Sequence, residues 1–335
     1  MTIRRASTND VFDIAQVHVD TWQATYDGLL PQSMIDGLSY QQSSAQWARV
    51  WSRPEMMLWV AEAGSGEIVA FGCAGEERGR DPSYDGEVYA IYVLPDHQGN
   101  GVGRKLMSAM ATELYLQGLR SLLVWVLAEN PYRRFYESLG GTEARSQRML
   151  LASGLLTETG YAWKDLGPLI YGDRVRHTDG APGGEATALL TDIGEELGLL
   201  GIRNWSELSG ASRDKNRDLH TLELRSDTRL LGAAVLGQQS GGLLRRGERL
   251  FELLSIAVVS RARKQGWGKQ LMIAVEDHAR SQGARELRAR VDRDNYLVAG
   301  FFERFGYRAL ETQSIPADDS AGAKSREREV RVFTR

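Results

Sequence analysis

Cysteine is almost absent: the chain of 335 residues holds one, Cys73. No internal disulfide is available, and a reducing cytoplasm is the expected setting. The thiol lies in an apolar run, where packing is its expected use and an acyl-carrying nucleophile the alternative. Long apolar runs are absent too. No run approaches the length of roughly 18 residues that a membrane-spanning helix needs, so no such helix is expected. The opening MTIRRASTND lacks the apolar core of a signal peptide. Nor does charge of one sign dominate: Lys and Arg number 41, Asp and Glu 44, for a net charge of −3. That balance offers no basic field to hold nucleic acid. A metal centre is not expected either, because His18, on an amphipathic helix face, has no second ligand at suitable spacing.

What is present is a globular composition, 42% hydrophobic and 25% charged, in a chain long enough for two domains with a core each. One stretch, Glu87 to Lys105, organises it. Its first half, EVYAIYV, is β-branched and aromatic and reads as a buried strand closed by Pro95 and Asp96. Its second half, Gln98, Gly99, Asn100, Gly101, Val102 and Gly103, runs through Arg104 into an amphipathic helix. Bare amides at a helix N-terminus attract anions, and glycine lets a phosphate approach the backbone. Spacing narrows the kind of loop. Arg104 stands where the Walker pattern needs glycine and lysine to follow Gly99, and it also takes the third glycine position of the dinucleotide fingerprint. The pattern left is Q-x-x-G-x-G after a strand.

The same pattern returns between Leu250 and Met272. Glu252, Ile256, Gly266, Gly283 and Asn295 follow Glu87, Ile91, Gly101, Gly118 and Asn130 at one constant offset. Repetition over about half the chain indicates two copies of one domain, expected at residues 1–167 and 168–335. The two loops, together with Asn130 and the run FYESLG at Phe135 to Gly140, resemble the GNAT acetyltransferase superfamily. The resemblance extends over both halves. It implies an α/β (α+β) fold of two tandem domains, each a mixed, mostly antiparallel sheet flanked by helices.

The resemblance also implies acetyl-CoA (coenzyme A) as cofactor. Its pyrophosphate would rest on Gln98, Gly99, Asn100, Gly101, Val102, Gly103 and Arg104. Its pantetheine arm would follow Ile91, Tyr92 and Val93, with an amide hydrogen bond from Asn130. The corresponding residues of the second half are Ile256, Ala257 and Val258, then Arg263, Lys264, Gln265, Gly266, Trp267 and Gly268, and finally Asn295. The Ile91 amide is implied as donor to the thioester carbonyl; one such donor is worth on the order of 3 kcal/mol in acyl transfer.

Glu87 shares a strand phase with Ile91 and Val93 and is the candidate general base, directly or through water, the alternative being a solvated glutamate at a strand start. Tyr136 is the candidate general acid, since a phenol of pKa about 10 can protonate a leaving thiolate without ionising at neutral pH. Its alternative is a core aromatic. Phe302 takes the tyrosine's place in the repeat, which predicts cofactor binding with impaired turnover there. Asn130 precedes Tyr136 by six residues, whereas Asn295 precedes Phe302 by seven.

Trp22, Tyr26 and Tyr89 are the candidate acceptor residues; Trp47 and Trp51 belong either to the same pocket or to helices packed on the sheet. The expected function is N-acetylation of a small-molecule primary amine by direct attack. The alternatives are acetylation of a cysteinyl pseudodisaccharide, as in tandem-domain mycothiol synthase, a coenzyme-A-binding sensor or scaffold with a degenerate second half, and acetylation of protein N-termini or lysines, which would want an open acidic groove. A monomer (a pseudo-dimer of its two halves) or a homodimer is expected. Residues 173–185 read as a linker, 237–247 as a glycine-rich connection and 311–328 as a charged loop.

Overall fold

The computed structural model describes residues 1–79, 81–151, 154–197, 217–239, 249–316 and 327–334. The chain divides into two compact units, Met1–Ile170 and Tyr171–Arg335. The expected boundary after residue 167 falls inside the short helix Gly167–Tyr171. Leu169 and Ile170 are buried, and Ser108 Oγ donates to the Ile170 carbonyl at 2.8 Å. Those contacts hold the helix to the first unit.

The first unit builds a seven-stranded sheet from β1 (Thr2–Arg5), β2 (Met57–Glu62), β3 (Ile68–Glu76), β4 (Gly86–Val93), β5 (Leu122–Leu127), β6 (Thr142–Leu151) and β7 (Gly154–Trp163), in the order β1-β2-β3-β4-β5-β7-β6. Every pairing is antiparallel except β4 with β5. Helices α1 (Val11–Tyr26), α2 (Gln32–Asp36) and α3 (Tyr40–Trp51) precede β2, and α4 (Val102–Leu116) joins β4 to β5.

Strand β3 is buried from Ile68 to Gly75 because both faces are covered. Phe71 and Cys73 pack with Ile14, Val17 and Trp47 from α1 and α3, and Val69 and Ala70 pack with Val102 and Leu106 of α4. Cys73 is 1% exposed, and burial pushes its thiol up to about 12. That environment suits packing and leaves almost no thiolate for acyl chemistry.

One irregularity shapes this unit. Cys73 faces Ala90 and Ala74 faces Val88, so Tyr89 is an extra residue, a β-bulge, in β4. Parallel pairing with β5 ends at Val88 opposite Val124. Beyond it β4 stays with β3 and β5 stays with β7, and a wedge opens between them.

The second unit repeats the plan with β8 (Val175–Asp179), β9 (Arg217–Ser226), β10 (Arg229–Gln239), β11 (Arg249–Val258), β12 (Ala284–Asp292), β13 (Arg308–Pro316) and β14 (Glu327–Thr334), in the order β13-β14-β12-β11-β10-β9-β8. Its bulge falls on Leu254, which follows Tyr89 at the same offset as the motif residues, and its parallel pairing stops at Leu253 opposite Ala289. The repeat therefore extends to the break in the ladder itself.

Three sequence expectations need correction here. Residues 175–179, read as linker, form β8; residues 311–316, read as loop, belong to β13; and residues 237–239 extend β10. The first two are polar edge strands, held by backbone ladders with few apolar side chains, which is why their composition resembles a loop. The rest of the expected glycine-rich connection, residues 240–247, lies outside the described residues, as do residues 317–326; residues 327–328, also read as loop, open β14.

Candidate active site

The glycine loop begins where β4 ends. Gln98 Nε2 donates to the Val93 carbonyl at 2.9 Å, folding the loop back on its own strand. In the repeat Arg263 Nε donates to the Val258 carbonyl at 3.2 Å. A glutamine in one copy and an arginine in the other thus make the same loop-to-strand tie. Gly101 has φ +73° and stands at the N-cap of α4; Gly266, at φ +87°, caps the helix Trp267–Ser281 in the same way. Both positions need the left-handed region that glycine enters freely. Lys264 holds φ +61° where the first copy has Gly99 at +73°. A Cβ built on Gly99 or Gly101 would meet nothing within 4 Å, so space lies open above the amides. At Gly103 it would come to 3.0 Å from the Phe135 ring, so any larger residue there would have to displace that ring.

Hydrogen bonding fixes the direction of the strand amides. Leu94 N–H donates to Val69 O on β3 at 3.0 Å. Successive N–H groups alternate along a strand, so those of Ile91 and Val93 point away from β3 into the wedge. Val259 N–H donates to Leu231 O at 2.8 Å, which orients Ile256 and Val258 in the second unit by the same argument.

A cavity of about 400 Å³ fills the wedge of the first unit. Ile91, Tyr92 and Val93 form its floor, and Gln98, Gly99, Gly101, Val102, Gly103 and Arg104 one wall. Thr21, Thr25 and Tyr26 of α1 face them, with Asn130, Tyr132, Phe135, Tyr136, Ser138 and Leu139 opposite. Four tyrosines line it, Tyr26, Tyr92, Tyr132 and Tyr136. Burial raises the pKa values of Tyr26, Tyr92 and Tyr136, and for Tyr136 the neighbouring Tyr26 and Tyr92 add to the effect. All three therefore stay protonated well past neutrality. Trp22 lies behind this wall: its Nε1 donates to Tyr92 Oη at 2.9 Å, and its ring stands 4.8 Å from that of Tyr26.

Tyr136 stacks on Tyr161 of β7 at 5.7 Å. Phe302 stacks on Phe333 of β14 at 5.8 Å, and the two carbonyls accept from Gly141 and Tyr307, each five residues on. The two rings are thus equivalent in space despite the extra residue in the repeat. That residue is absorbed at the helix start. Asn130 Oδ1 caps the turn Pro131–Arg133 by accepting from Tyr132 N–H, whereas Asn295 Oδ1 accepts from Val298 N–H at the head of the helix Tyr296–Arg304. Asn130 Nδ2 donates to Tyr26 Oη at 2.9 Å, which joins the cavity's two sides.

Several expected residues stand elsewhere. Glu87 and Tyr89 do not line the cavity, because they sit on β4 up to its bulge, where the wedge begins. Glu87 is 2% exposed, and its carboxylate accepts from the Arg78 guanidinium and from the Arg78 N–H. The Arg78 guanidinium also lies 4.3 Å from the Tyr89 ring centre. Glu252 repeats the motif, paired with Arg290 at 2.7 Å. Asn100 is exposed on the loop and Trp22 backs the wall; neither lines the cavity. Trp47 is core, edge-on to Phe71 at 4.8 Å, while Trp51 is exposed. His18 Nδ1 lies 2.9 Å from Ser43 Oγ within a cage of Trp22, Trp47, Phe71 and Tyr92, and desolvation lowers its pKa to about 4.

Sequence reasoning missed Thr21, Thr25, Tyr132, Phe135, Ser138 and Leu139 as lining residues. The α1 threonines have a readable signal, lying close before Tyr26 on the same helix. The others flank Tyr136 in a segment already singled out.

The chain belongs to the acetyltransferase (GNAT) family, whose profile matches residues 18–140 and 191–307. It is similar to YuaI of Bacillus subtilis, an uncharacterised N-acetyltransferase, at 35% identity over 169 residues, 50% of this chain and 96% of that protein. It is similar to a mycothiol acetyltransferase of Kocuria rhizophila at 45% identity, over 56 residues that make up 16% of this chain and only 18% of that protein. Among solved structures, yncA from Salmonella typhimurium with its cofactor acetyl-CoA shares 23% identity, covering 50% of this chain and 94% of that one, with a TM-score of 0.39. No helix among the described residues is long and apolar enough to cross a membrane.

Proposed function

We propose that the first unit transfers the acetyl group of acetyl-CoA to the primary amine of a small molecule by direct attack. The carrying observation is the cavity of about 400 Å³ where β4 leaves β5, with phosphate-type amides and several phenols in its lining. Positive φ at Gly99 and Gly101, open space above both and the unpaired first turn of α4 suit the cofactor's pyrophosphate. The Ile91 and Val93 amides, directed into the wedge, receive the thioester carbonyl and the pantetheine arm. A volume of this size suits a small acceptor. Thr21 Oγ1, buried in the lining without a hydrogen-bond partner, offers such an acceptor a polar contact.

In the reaction the amine nitrogen attacks the thioester carbonyl carbon, and negative charge grows on the oxygen, which the Ile91 N–H stabilises. The C–S bond then breaks, and Tyr136 gives its proton to the departing thiolate. Nitrogen loses its proton to water, because no carboxylate or imidazole among the described residues lines the cavity, and water returns one to Tyr136 before the next turnover. Glu87, ion-paired to Arg78, anchors the strand at its bulge. The second unit keeps the loop and its amide directions, but Phe302 has no proton to give; it holds the cofactor and turns over slowly.

The test is acetyl-CoA-dependent thiol release over a panel of small amines, amino acids, peptides and a cysteinyl pseudodisaccharide. Turnover of one or more small primary amines supports the reading. Turnover restricted to peptides, or absent from every acceptor, refutes it.

A further inference from the structure

The second unit contains a cluster that acetyl transfer does not use. Three of the chain's five histidines converge there, from three separate elements. Asp179 on β8 lies directly opposite His220 on β9, and His177, two residues before Asp179, shares its face of the sheet. His278, in the last turn of the helix Trp267–Ser281, lies over that face with its ring 4.1 Å from His177 and 4.9 Å from His220.

The polar atoms are close and poorly satisfied. His177 Nε2 is 3.3 Å from His220 Nδ1, and Asp179 Oδ1 is 3.2 Å from the former and 3.1 Å from the latter. Ligand atoms of the three histidines lie within 4.8 Å of one another. His220 is 8% exposed and its Nε2 is buried with no hydrogen-bond partner; His278 Nε2 is buried and unpartnered as well. Such orphaned nitrogens are costly in a protein interior and call for a reason. The His177–His220 contact engages His220 Nδ1, so of these two atoms only His278 Nε2 can gain a partner within the cluster; His220 Nε2 lies on the far side of its ring.

We propose that His177, His220 and His278, with Asp179, bind one Zn²⁺ ion that ties the β8–β9 edge to the end of the helix Trp267–Ser281. Ligand atoms about 2.0–2.1 Å from a tetrahedral ion stand about 3.3 Å apart, the spacing already present among His177 Nε2, His220 Nδ1 and Asp179 Oδ1, so His220 would bind through Nδ1. The third histidine reaches the same ion by a rotamer adjustment. Imidazole and carboxylate donors suit zinc, and four protein ligands make the site closed and structural. Phe251 backs the His220 ring at 5.5 Å, while His177 and Asp179 are exposed and give the ion a path from solvent. The helix braced at this end is capped at its other end by Gly266, so the ion would hold the scaffold of the second glycine loop.

The test uses the full chain without an affinity tag, stripped with a chelator and titrated with ZnCl₂ by calorimetry. Co²⁺ serves as a spectroscopic probe of tetrahedral geometry. One Zn²⁺ per chain, a tetrahedral Co²⁺ absorption band and a higher thermal midpoint with metal are expected. His177→Ala, at an exposed position, and His278→Gln, which keeps a side chain of similar reach, should each weaken binding at least about 10-fold. His97→Gln in the first unit should leave the stoichiometry at one. Absence of Zn²⁺ binding by the wild-type chain overturns the assignment, whatever the variants do. Unchanged affinity in a His177→Ala/His278→Gln chain overturns it equally.

Discussion

Replacing Tyr136 by Phe removes one oxygen from the cavity and little else. The ring keeps its stack on Tyr161 at 5.7 Å and its edge contact with Phe135 at 5.3 Å. The chain itself contains the control, because Phe302 occupies the equivalent place on Phe333. Folding stability should therefore change by no more than about 0.5 kcal/mol. The chemical step should suffer far more. General acid catalysis contributes roughly 10²–10⁴-fold, equivalent to about 3–5 kcal/mol of barrier. Burial holds the phenol's pKa above its ordinary value, so the acid form persists through the neutral and alkaline range, and its loss should lower kcat across that whole range. The assay is thiol release at saturating acetyl-CoA and amine, with single turnovers to establish that chemistry limits the rate. A kcat within about twofold of wild type under those conditions refutes Tyr136 as the acid.

Gly103→Ala should push the Phe135 ring, 3.0 Å from the new Cβ, toward the cavity and weaken acetyl-CoA binding about tenfold, or about 1.4 kcal/mol; calorimetry showing unchanged affinity would contradict this. Glu87→Gln should lower kcat/KM less than about tenfold with an unshifted pH profile, whereas loss of a general base would cost about 10²–10⁴-fold. His18 has a folded pKa of about 4 against an ordinary 6.5. The unfolded chain therefore binds more protons at this residue between those values, so His18's contribution to stability is fully present above pH 6.5 and falls by up to about 3 kcal/mol as pH drops to about 4. Acid melts of wild type and His18→Gln should differ in slope over that window, and parallel curves would remove His18 as the cause.

Local spacing makes the glycine loops legible, because a helix start that receives phosphate needs glycines at set positions within a short stretch. The constant offset between the halves then locates the second unit, and it holds down to the bulges at Tyr89 and Leu254. The bulges themselves leave no mark in composition, since a tyrosine and a leucine fit any strand. For that reason the end of β4–β5 pairing at Val88 is not readable from the sequence, and strand phase groups Glu87 with Ile91 and Val93 although the bulge and the start of the cavity lie between them. Its partner Arg78 comes from the turn after β3, nine residues away, a distance no periodicity predicts. The polar edge strands β8 and β13 read as loops because backbone pairing holds them. The histidine cluster is invisible to spacing because His177, His220 and His278 lie far apart in the chain and meet only through strand pairing and helix placement.

The central claim is that acetyl transfer belongs to the first unit and its glycine loop. Its most direct test is the steady-state turnover of two full-length variants, Gly101→Glu and Gly266→Glu, on one amine acceptor. Each places a charged side chain at a left-handed N-cap, at a strain cost of about 1–2 kcal/mol, so each is first checked for native circular dichroism. Gly101→Glu should abolish most turnover, and Gly266→Glu should retain most of it. The reverse pattern would contradict the account and place the active site in the second unit.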